Sequence, residues 1–311
     1  MLGGFGRSGS TLLERCLAEC PDVTGLGEVL HLWERGLRDD ERCGCSEKFS
    51  RCDFWCGIGT AAFGQWEAVD AAAAIAERRA VVRNRYLPQL ITGFSSGSYR
   101  QQQRRFLARL DALYAAVQGT TGASLIVDSS KHPAYAYLLR KAAIDLKCVL
   151  VVRDPRGVAY SWSKVVHRPE AGNAEFMPRY STVASVLRWG AYGILFHGLT
   201  LLGVPVKTVH YEDFMADPVG VVRDILEFAG LSPGEEATAH LSAADVTLSA
   251  HHTVAGNPMR FRTGTLTVRR DTEWKQKMPA GQRAVASVLS APLRLAYGMR
   301  RRSSDAAPAR V

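Results

Sequence analysis

At 311 residues, 47% hydrophobic and 22% charged, the chain is long enough to enclose one large core and too apolar to be disordered throughout. Its formal net charge of +9 suits nucleic acid or an anionic surface, and equally a site for a multiply charged nucleotide. No run approaches the roughly 18 apolar residues that span a membrane, and the first residues lack the charged and apolar regions of a secretion signal, so a cytoplasmic protein is expected. In chain order, an apolar strand over 2–5 leads through a glycine-bearing turn into a helix over 10–19. The stretch 31–99 reads as a mostly helical cap insertion. After it come a helix over 100–119, a strand over 124–128, a helix over 134–145 and a strand over 148–153. Helices over 157–166 and 183–202, a strand over 206–210 and a helix over 218–230 complete the pattern. Such alternation implies an α/β fold with a mainly parallel central sheet between helical layers. No linker divides the chain, so 1–302 is expected as one domain, with 303–311 as a disordered tail. The cluster Arg300, Arg301 and Arg302 before that tail reads as a solvated end. Only five residues precede Gly6, so the first strand is short and an upstream native start is expected.

The run GRSGSTLL over 6–13 has the form of a phosphate loop without its lysine. Against G-x-x-x-x-G-K-[ST], Gly4 and Gly9 fall on the glycines and Thr11 on the hydroxyl position, while Ser10 stands where an NTPase needs lysine. The nearest cation is Arg7. Backbone N–H groups of such a turn and of the following helix still form an anion site. A second motif, KCVLVVRDPRG over 147–157, ends an apolar run on Arg153 and turns at Asp154 and Pro155 into a helix that carries Ser161, eight residues after Arg153. A cation at a strand end and a hydroxyl on the next helix converge at the crevice where parallel sheets bind ligands.

With these two motifs, the chain resembles the sulfotransferases that use 3′-phosphoadenosine-5′-phosphosulfate, especially the branch of tyrosylprotein and carbohydrate enzymes and their bacterial relatives. Two further segments extend the resemblance: VHYEDFMADP over 209–218, and GNPMRF over 256–261 with DTEWK over 271–275. The resemblance implies a P-loop-like three-layer α/β/α fold with the helical cap inserted. It implies that Arg7, Ser8, Gly9, Ser10 and Thr11 hold the 5′-phosphosulfate and that Arg153 and Ser161 hold the 3′-phosphate. Tyr211 would lie near the nucleotide, and the C-terminal loop bearing Asn257 and Arg260 would close over it. The implied product is adenosine 3′,5′-bisphosphate, and the implied partner is an acceptor with a hydroxyl group, such as a small molecule, a glycoside or a lipid. Neither nucleic acid nor a membrane span is implied, and the oligomeric state stays open.

Sulfuryl transfer requires a base for the acceptor proton and positive charge where the leaving phosphate gathers its own. Glu28, 21 residues beyond Arg7, matches the catalytic glutamate of the tyrosylprotein branch, with His31 and His167 in reserve. Arg7 and Lys131 would face the transferring group, and Ser129 and Ser130 would cap the helix after Lys131. No divalent metal is expected in this chemistry. Asp128, at the end of an apolar strand, keeps open an Mg²⁺- and ATP-dependent kinase, and a non-catalytic nucleotide or polyanion binder would need neither Glu28 nor Lys131. Cys43, Cys45, Cys52 and Cys56 could hold zinc, but their tight first spacing favours free thiols packed with Phe49, Phe54 and Trp55. Trp33, Phe54, Trp55, Phe63, Trp66 and Phe94 either line an acceptor pocket or form core. Arg100, Arg104 and Arg105 either receive an acidic acceptor or face solvent.

Overall fold

The computed structural model describes residues 1–168 and 176–299, and Arg300, Arg301, Arg302 and the 303–311 tail lie outside the described residues. A two-residue strand β1 (Leu2–Gly3) is followed by helix α1 (Ser10–Ala18) and strand β2 (Val23–Gly27). The cap then runs through a π-helical segment (Leu32–Arg38) and helices α2 (Asp53–Phe63), α3 (Ala71–Val81), α4 (Leu87–Thr92) and α5 (Gly97–Thr121). Asp70 and Ser96 start α3 and α5 by accepting the Ala73 and Tyr99 N–H groups, which is why α5 begins three residues before the periodicity predicts.

Strand β3 (Leu125–Asp128), helix α6 (Pro133–Leu139), strand β4 (Cys148–Val152), helix α7 (Pro155–Ser163) and helix α8 (Thr182–Gly198) follow. Then come strand β5 (Val206–His210), helices α9 (Tyr211–Ala216) and α10 (Pro218–Ala229), and an antiparallel pair, β6 (Asp245–Leu248) with β7 (Gly264–Thr267). Helix α6 stops well short of residue 145: the Lys141 and Ala142 N–H groups already turn back to the Leu138 and Leu139 carbonyls, and the Ala143 N–H goes to the Asp111 carboxylate (2.8 Å).

β4 pairs in parallel with β1 on one side and β5 on the other, and β2 pairs in parallel with β3. A parallel bridge between Gly3 and Lys131 stitches the two parts together, giving the spatial order β2-β3-β1-β4-β5. Side-chain alternation along β4 divides the core. Leu150 and Val152 face the cluster that includes Phe196 of α8, whereas Val149 and Val151 face Leu13 of α1 and Val222 of α10. Helices therefore cover both faces of the sheet.

β2 is not among the strands expected from the sequence, because its five residues, VTGLG, include two glycines and lack the apolar run of β4. Five of the six cap aromatics are core or pack against it rather than forming pocket wall, with Trp33 fully buried against Phe63, Trp66 and Phe106, whereas Phe94 is 88% exposed. No described helix is long and apolar enough to cross a membrane.

Candidate active site

The turn from β1 into α1 places its residues by backbone conformation. Gly9 lies at φ 87°, and a Cβ there would stand 2.7 Å from the Tyr211 ring, so glycine is required by both torsion and space. Arg7 also has a positive φ, 71°, which is costly for a side chain with a Cβ. Gly9 supplies no side-chain cap to α1 and the first turn carries no acid, which leaves the helix N-terminus suited to an anion. Ser8 is buried, its hydroxyl donating to the Phe5 carbonyl (2.7 Å). The Arg7 guanidinium lies over Trp162 (5.1 Å) and donates to the Met177 sulfur (3.1 Å), while its Nε has no partner among the described residues. Burial lowers its pKa and the nearby Glu28 carboxylate opposes that shift, so a further anion would find a desolvated cation.

Arg153, at the end of β4, is 6% exposed and stacks on Tyr211 (4.5 Å). It donates to the Arg7 carbonyl (3.1 Å) and to the Asp271 carboxylate (2.9 Å), joining the turn after β1 to the C-terminal loop. The Asp271 N–H in turn donates to the Tyr211 hydroxyl (3.2 Å). Ser161 follows on α7, with its side chain on the same cavity as Arg153.

Glu28 leaves the end of β2. Its N–H donates to the Val254 carbonyl (2.8 Å), and its carboxylate accepts from Lys131 (2.5 Å) with His31 Nε2 at 3.7 Å. Burial pushes the Glu28 pKa up, but Lys131 and His31 outweigh it and hold the carboxyl below its usual value. Lys131 reaches this position from a left-handed backbone, φ 64°, just after β3. The serines before it are not helix caps as predicted. Ser129 donates to Glu14 (2.5 Å), Ser130 donates to Asp128 (2.5 Å), and α6 starts at His132 without a side-chain cap.

These elements enclose a cavity of about 700 Å³ lined by Arg7, Gly9, Ser10, Thr11, Glu28, Lys131, Arg153, Ser161 and Asn257, all expected from the sequence. Tyr211 supports Arg153 from behind, and Ser8 is turned inward; neither side chain lines the cavity. Arg260 departs from its expected role. It is 1% exposed and donates to the Thr253 and Arg42 carbonyls (2.6 Å each), because the short turn after Asn257 points it into the protein rather than the cavity. His31 lines the cavity, whereas His167 packs edge-on against Phe176 outside it. Arg100, Arg104 and Arg105 are exposed on α5, away from it.

The family model described as the sulfotransferase family matches residues 1–235. The chain belongs to the sulfotransferase family. Among solved structures it is similar to the sulfotransferase domain from the curacin biosynthetic pathway, at 16% identity and a TM-score of 0.50, with 94% of this chain and 95% of that domain covered. It is also similar to the sulfotransferase domain of the Synechococcus PCC 7002 olefin synthase (18% identity, 94% and 92% covered, TM-score 0.48). A third is the sulfotransferase STF9 from Mycobacterium avium (16%, 76% and 65%, TM-score 0.43). No curated protein matches the chain.

In this sulfotransferase the cavity gathers six cations, Arg7, Arg35, Arg78, Lys131, Arg153 and Arg168, around Glu28, the one carboxylate among the described residues lining it. Three of the six, Arg35, Arg78 and Arg168, come from segments that carry no site motif in the sequence. Arg35 and Arg168 both reach Glu41, and Arg78 reaches Glu34, at 2.6 Å in each case. The signal for Arg78 was the basic run AERRAVVRNR over 76–85, which has no meaning until α3 is folded against the π-helical segment. Asp128, which kept the kinase open, is 3% exposed, accepts from Tyr114 (2.6 Å) and Ser130, and does not line the cavity.

Proposed function

We propose that the protein transfers the sulfuryl group of 3′-phosphoadenosine-5′-phosphosulfate to an acceptor hydroxyl and releases adenosine 3′,5′-bisphosphate. One observation carries this reading: the N-terminus of α1 with Arg7, the Arg153 and Ser161 pair, and the Glu28 and Lys131 pair all open on one cavity. An anion site without the NTPase lysine, a second cation site, and a carboxylate beside a lysine are the parts that sulfuryl transfer from such a donor needs.

In the proposed reaction the donor phosphosulfate lies along the α1 N-terminus, with Arg7 and the backbone N–H groups of Ser10 and Thr11 on its oxygens. Arg153 and Ser161 take the 3′-phosphate. The acceptor oxygen attacks sulfur in line with the bridging oxygen, Glu28 removes the acceptor proton, and the bond between sulfur and the bridging oxygen breaks. Its electron pair stays on the 5′-phosphate, where Arg7 and Lys131 balance the growing charge. No divalent cation takes part in these steps. Arg35, Arg78 and His31 on the cap side favour an acceptor with polar or acidic groups beside its hydroxyl over a wholly apolar one.

Calorimetric titration with adenosine 3′,5′-bisphosphate and with ATP, each with and without Mg²⁺, tests the reading. Metal-independent binding of the bisphosphate in preference to ATP is expected. Preference for ATP with Mg²⁺ would overturn it in favour of a phosphotransferase.

A further inference from the structure

The cap carries a second cluster of reactive side chains, separate from the cavity. Cys43 and Cys45 lie in a tight turn closed by the Arg42 and Lys48 bridge, in which the Cys43 N–H donates to the Glu47 carbonyl and the Ser46 N–H to the Cys43 carbonyl (2.8 Å each). Cys52 stands at the N-terminus of α2. His252 arrives from the segment between β6 and β7, 200 residues later in the chain than Cys52. The Cys52 sulfur is 3.6 Å from that of Cys43, 3.7 Å from that of Cys45 and 3.2 Å from His252 Nδ1. Cys43 is 4.0 Å from the same nitrogen, and all four ligand atoms lie within 4.8 Å of one another.

These spacings have a simple geometric meaning. With Zn–S bonds of about 2.3 Å and a Zn–N bond of about 2.0 Å, tetrahedral angles put two sulfurs about 3.8 Å apart and a sulfur and a nitrogen about 3.5 Å apart. Disulfide chemistry does not account for them, since three sulfurs cannot all pair and a bonded pair would lie at about 2.05 Å. The imidazole is already oriented: it stacks on Phe54 (4.8 Å between centroids, 7° between planes), and its backbone carbonyl accepts from Trp55 Nε1 (2.9 Å).

We propose that Cys43, Cys45, Cys52 and His252 bind one Zn²⁺ ion in a closed, tetrahedral, structural site. Three soft thiolates and one imidazole select zinc over the oxygen-seeking Mg²⁺ and Ca²⁺, and four protein ligands leave no open position for catalysis. The sequence favours free thiols here and offers four cysteines as the alternative zinc ligands; the proposed set differs from both. Cys56 is turned away, one helical turn beyond Cys52 with its sulfur on the Ser50 carbonyl (3.4 Å), and His252 takes the fourth place.

The site ties the cap to the segment that braces Glu28. Beside it the Gly44 N–H donates to the Thr253 carbonyl (2.9 Å), and the next residue, Val254, exchanges backbone bonds with Leu26 and Glu28 (2.8 Å each). The ion would therefore hold the floor of the cavity from outside, with no part in the transfer.

Elemental analysis of the full chain, purified under reducing conditions without added metal, should find about one zinc per chain. Cys56→Ser should keep it, and His252→Ala should lose it or hold it at least ~10-fold more weakly against a chelating dye. If His252→Ala fails to fold, the wild type decides: chelation should lower its melting temperature, and Co²⁺ in place of zinc should show the intense visible bands of a tetrahedral thiolate site. Metal-free wild type, whether reduced or carrying a disulfide, overturns the proposal, as does the weak spectrum of six-coordinate cobalt or loss of zinc in Cys56→Ser. None of these readouts depends on the donor or acceptor, so the site stands or falls separately from the proposed reaction.

Discussion

Lys131 Nζ lies 2.5 Å from Glu28 Oε1, so the carboxylate of the cavity wall and the cation opposite it form one ion pair. The pair is assembled from the ends of β2 and β3, which are neighbours in the sheet, and both residues stand where the backbone is held by other strands and loops. Glu28→Gln keeps the shape and hydrogen-bonding reach of the side chain but removes the proton acceptor. Turnover should fall by at least ~10²-fold while affinity for adenosine 3′,5′-bisphosphate changes little. Unchanged turnover would remove Glu28 from the mechanism.

The pH dependence follows from the same pair. Because Lys131 and His31 hold Glu28 below its ordinary carboxyl value, the ionised form persists as pH falls toward that value and is lost only below it. The wild-type rate should therefore show no acidic limb from Glu28 between about pH 5 and 8. A limb near neutrality that survives in Glu28→Gln would assign the base to another group, with His31 first in line.

Arg153 is engaged by Asp271 at 2.9 Å, and a 3′-phosphate at this guanidinium would lie beside that carboxylate. Arg153→Ala should weaken the bisphosphate by about 2–3 kcal/mol, the scale of a hydrogen bond between charged groups, while adenosine 5′-monophosphate, which lacks the 3′-phosphate, loses much less. Asp271→Asn should tighten the bisphosphate by roughly 2–5-fold, since it relieves repulsion at a partly exposed pair. Equal losses for both nucleotides in Arg153→Ala would place Arg153 at the 5′ side or in the scaffold alone.

Sequence alone exposed the residues whose meaning is local. Gly9, Ser10 and Thr11 follow from one turn, Arg153 and Ser161 from one strand-to-helix junction, and the structure brings both sets to the same cavity. Residues whose partners lie far along the chain were not legible. His252 meets Cys52 across 200 positions, and Arg168 meets Glu41 across 127. Glu14 and Arg15 lie in the helix predicted over 10–19, where charged side chains are ordinarily solvated, yet both are buried. The Arg15 guanidinium is wrapped by the carbonyls of Ser249, Met259 and Arg262, which no helical periodicity could show.

Arg260 gives the sharpest test of where a motif misleads. Its Nη atoms serve two carbonyls, that of Thr253 inside the protein and that of Arg42 at its partly exposed edge. Arg260→Met should cost about 1–3 kcal/mol of stability, chiefly from the buried Thr253 carbonyl left unsatisfied. Bisphosphate affinity, measured by calorimetry well below the lowered melting temperature, should stay within a few-fold of wild type. Intact stability with lost affinity would return Arg260 to the nucleotide.

Glu14 couples α1 to β2, the strand that delivers Glu28. Its carboxyl is 2% exposed, accepts from the Gly27 N–H (2.6 Å) and Ser129 (2.5 Å), and is pushed up to about 7, chiefly by burial. A carboxyl whose pKa is raised on folding binds more protons folded than unfolded, so its contribution is fully present below about 4.5 and is lost as pH rises to about 7. The loss across that window is of order 3 kcal/mol, after which it is flat. Glu14→Gln keeps an acceptor for Gly27 and a polar group for Ser129 but cannot ionise. Thermal unfolding of both proteins from pH 5 to pH 8 should show wild type losing stability relative to the variant as pH rises, with the difference saturating above pH 7. A constant difference across the series would mean that Glu14 is ionised in the folded protein throughout, and that the bond from Gly27 is charge-assisted rather than neutral.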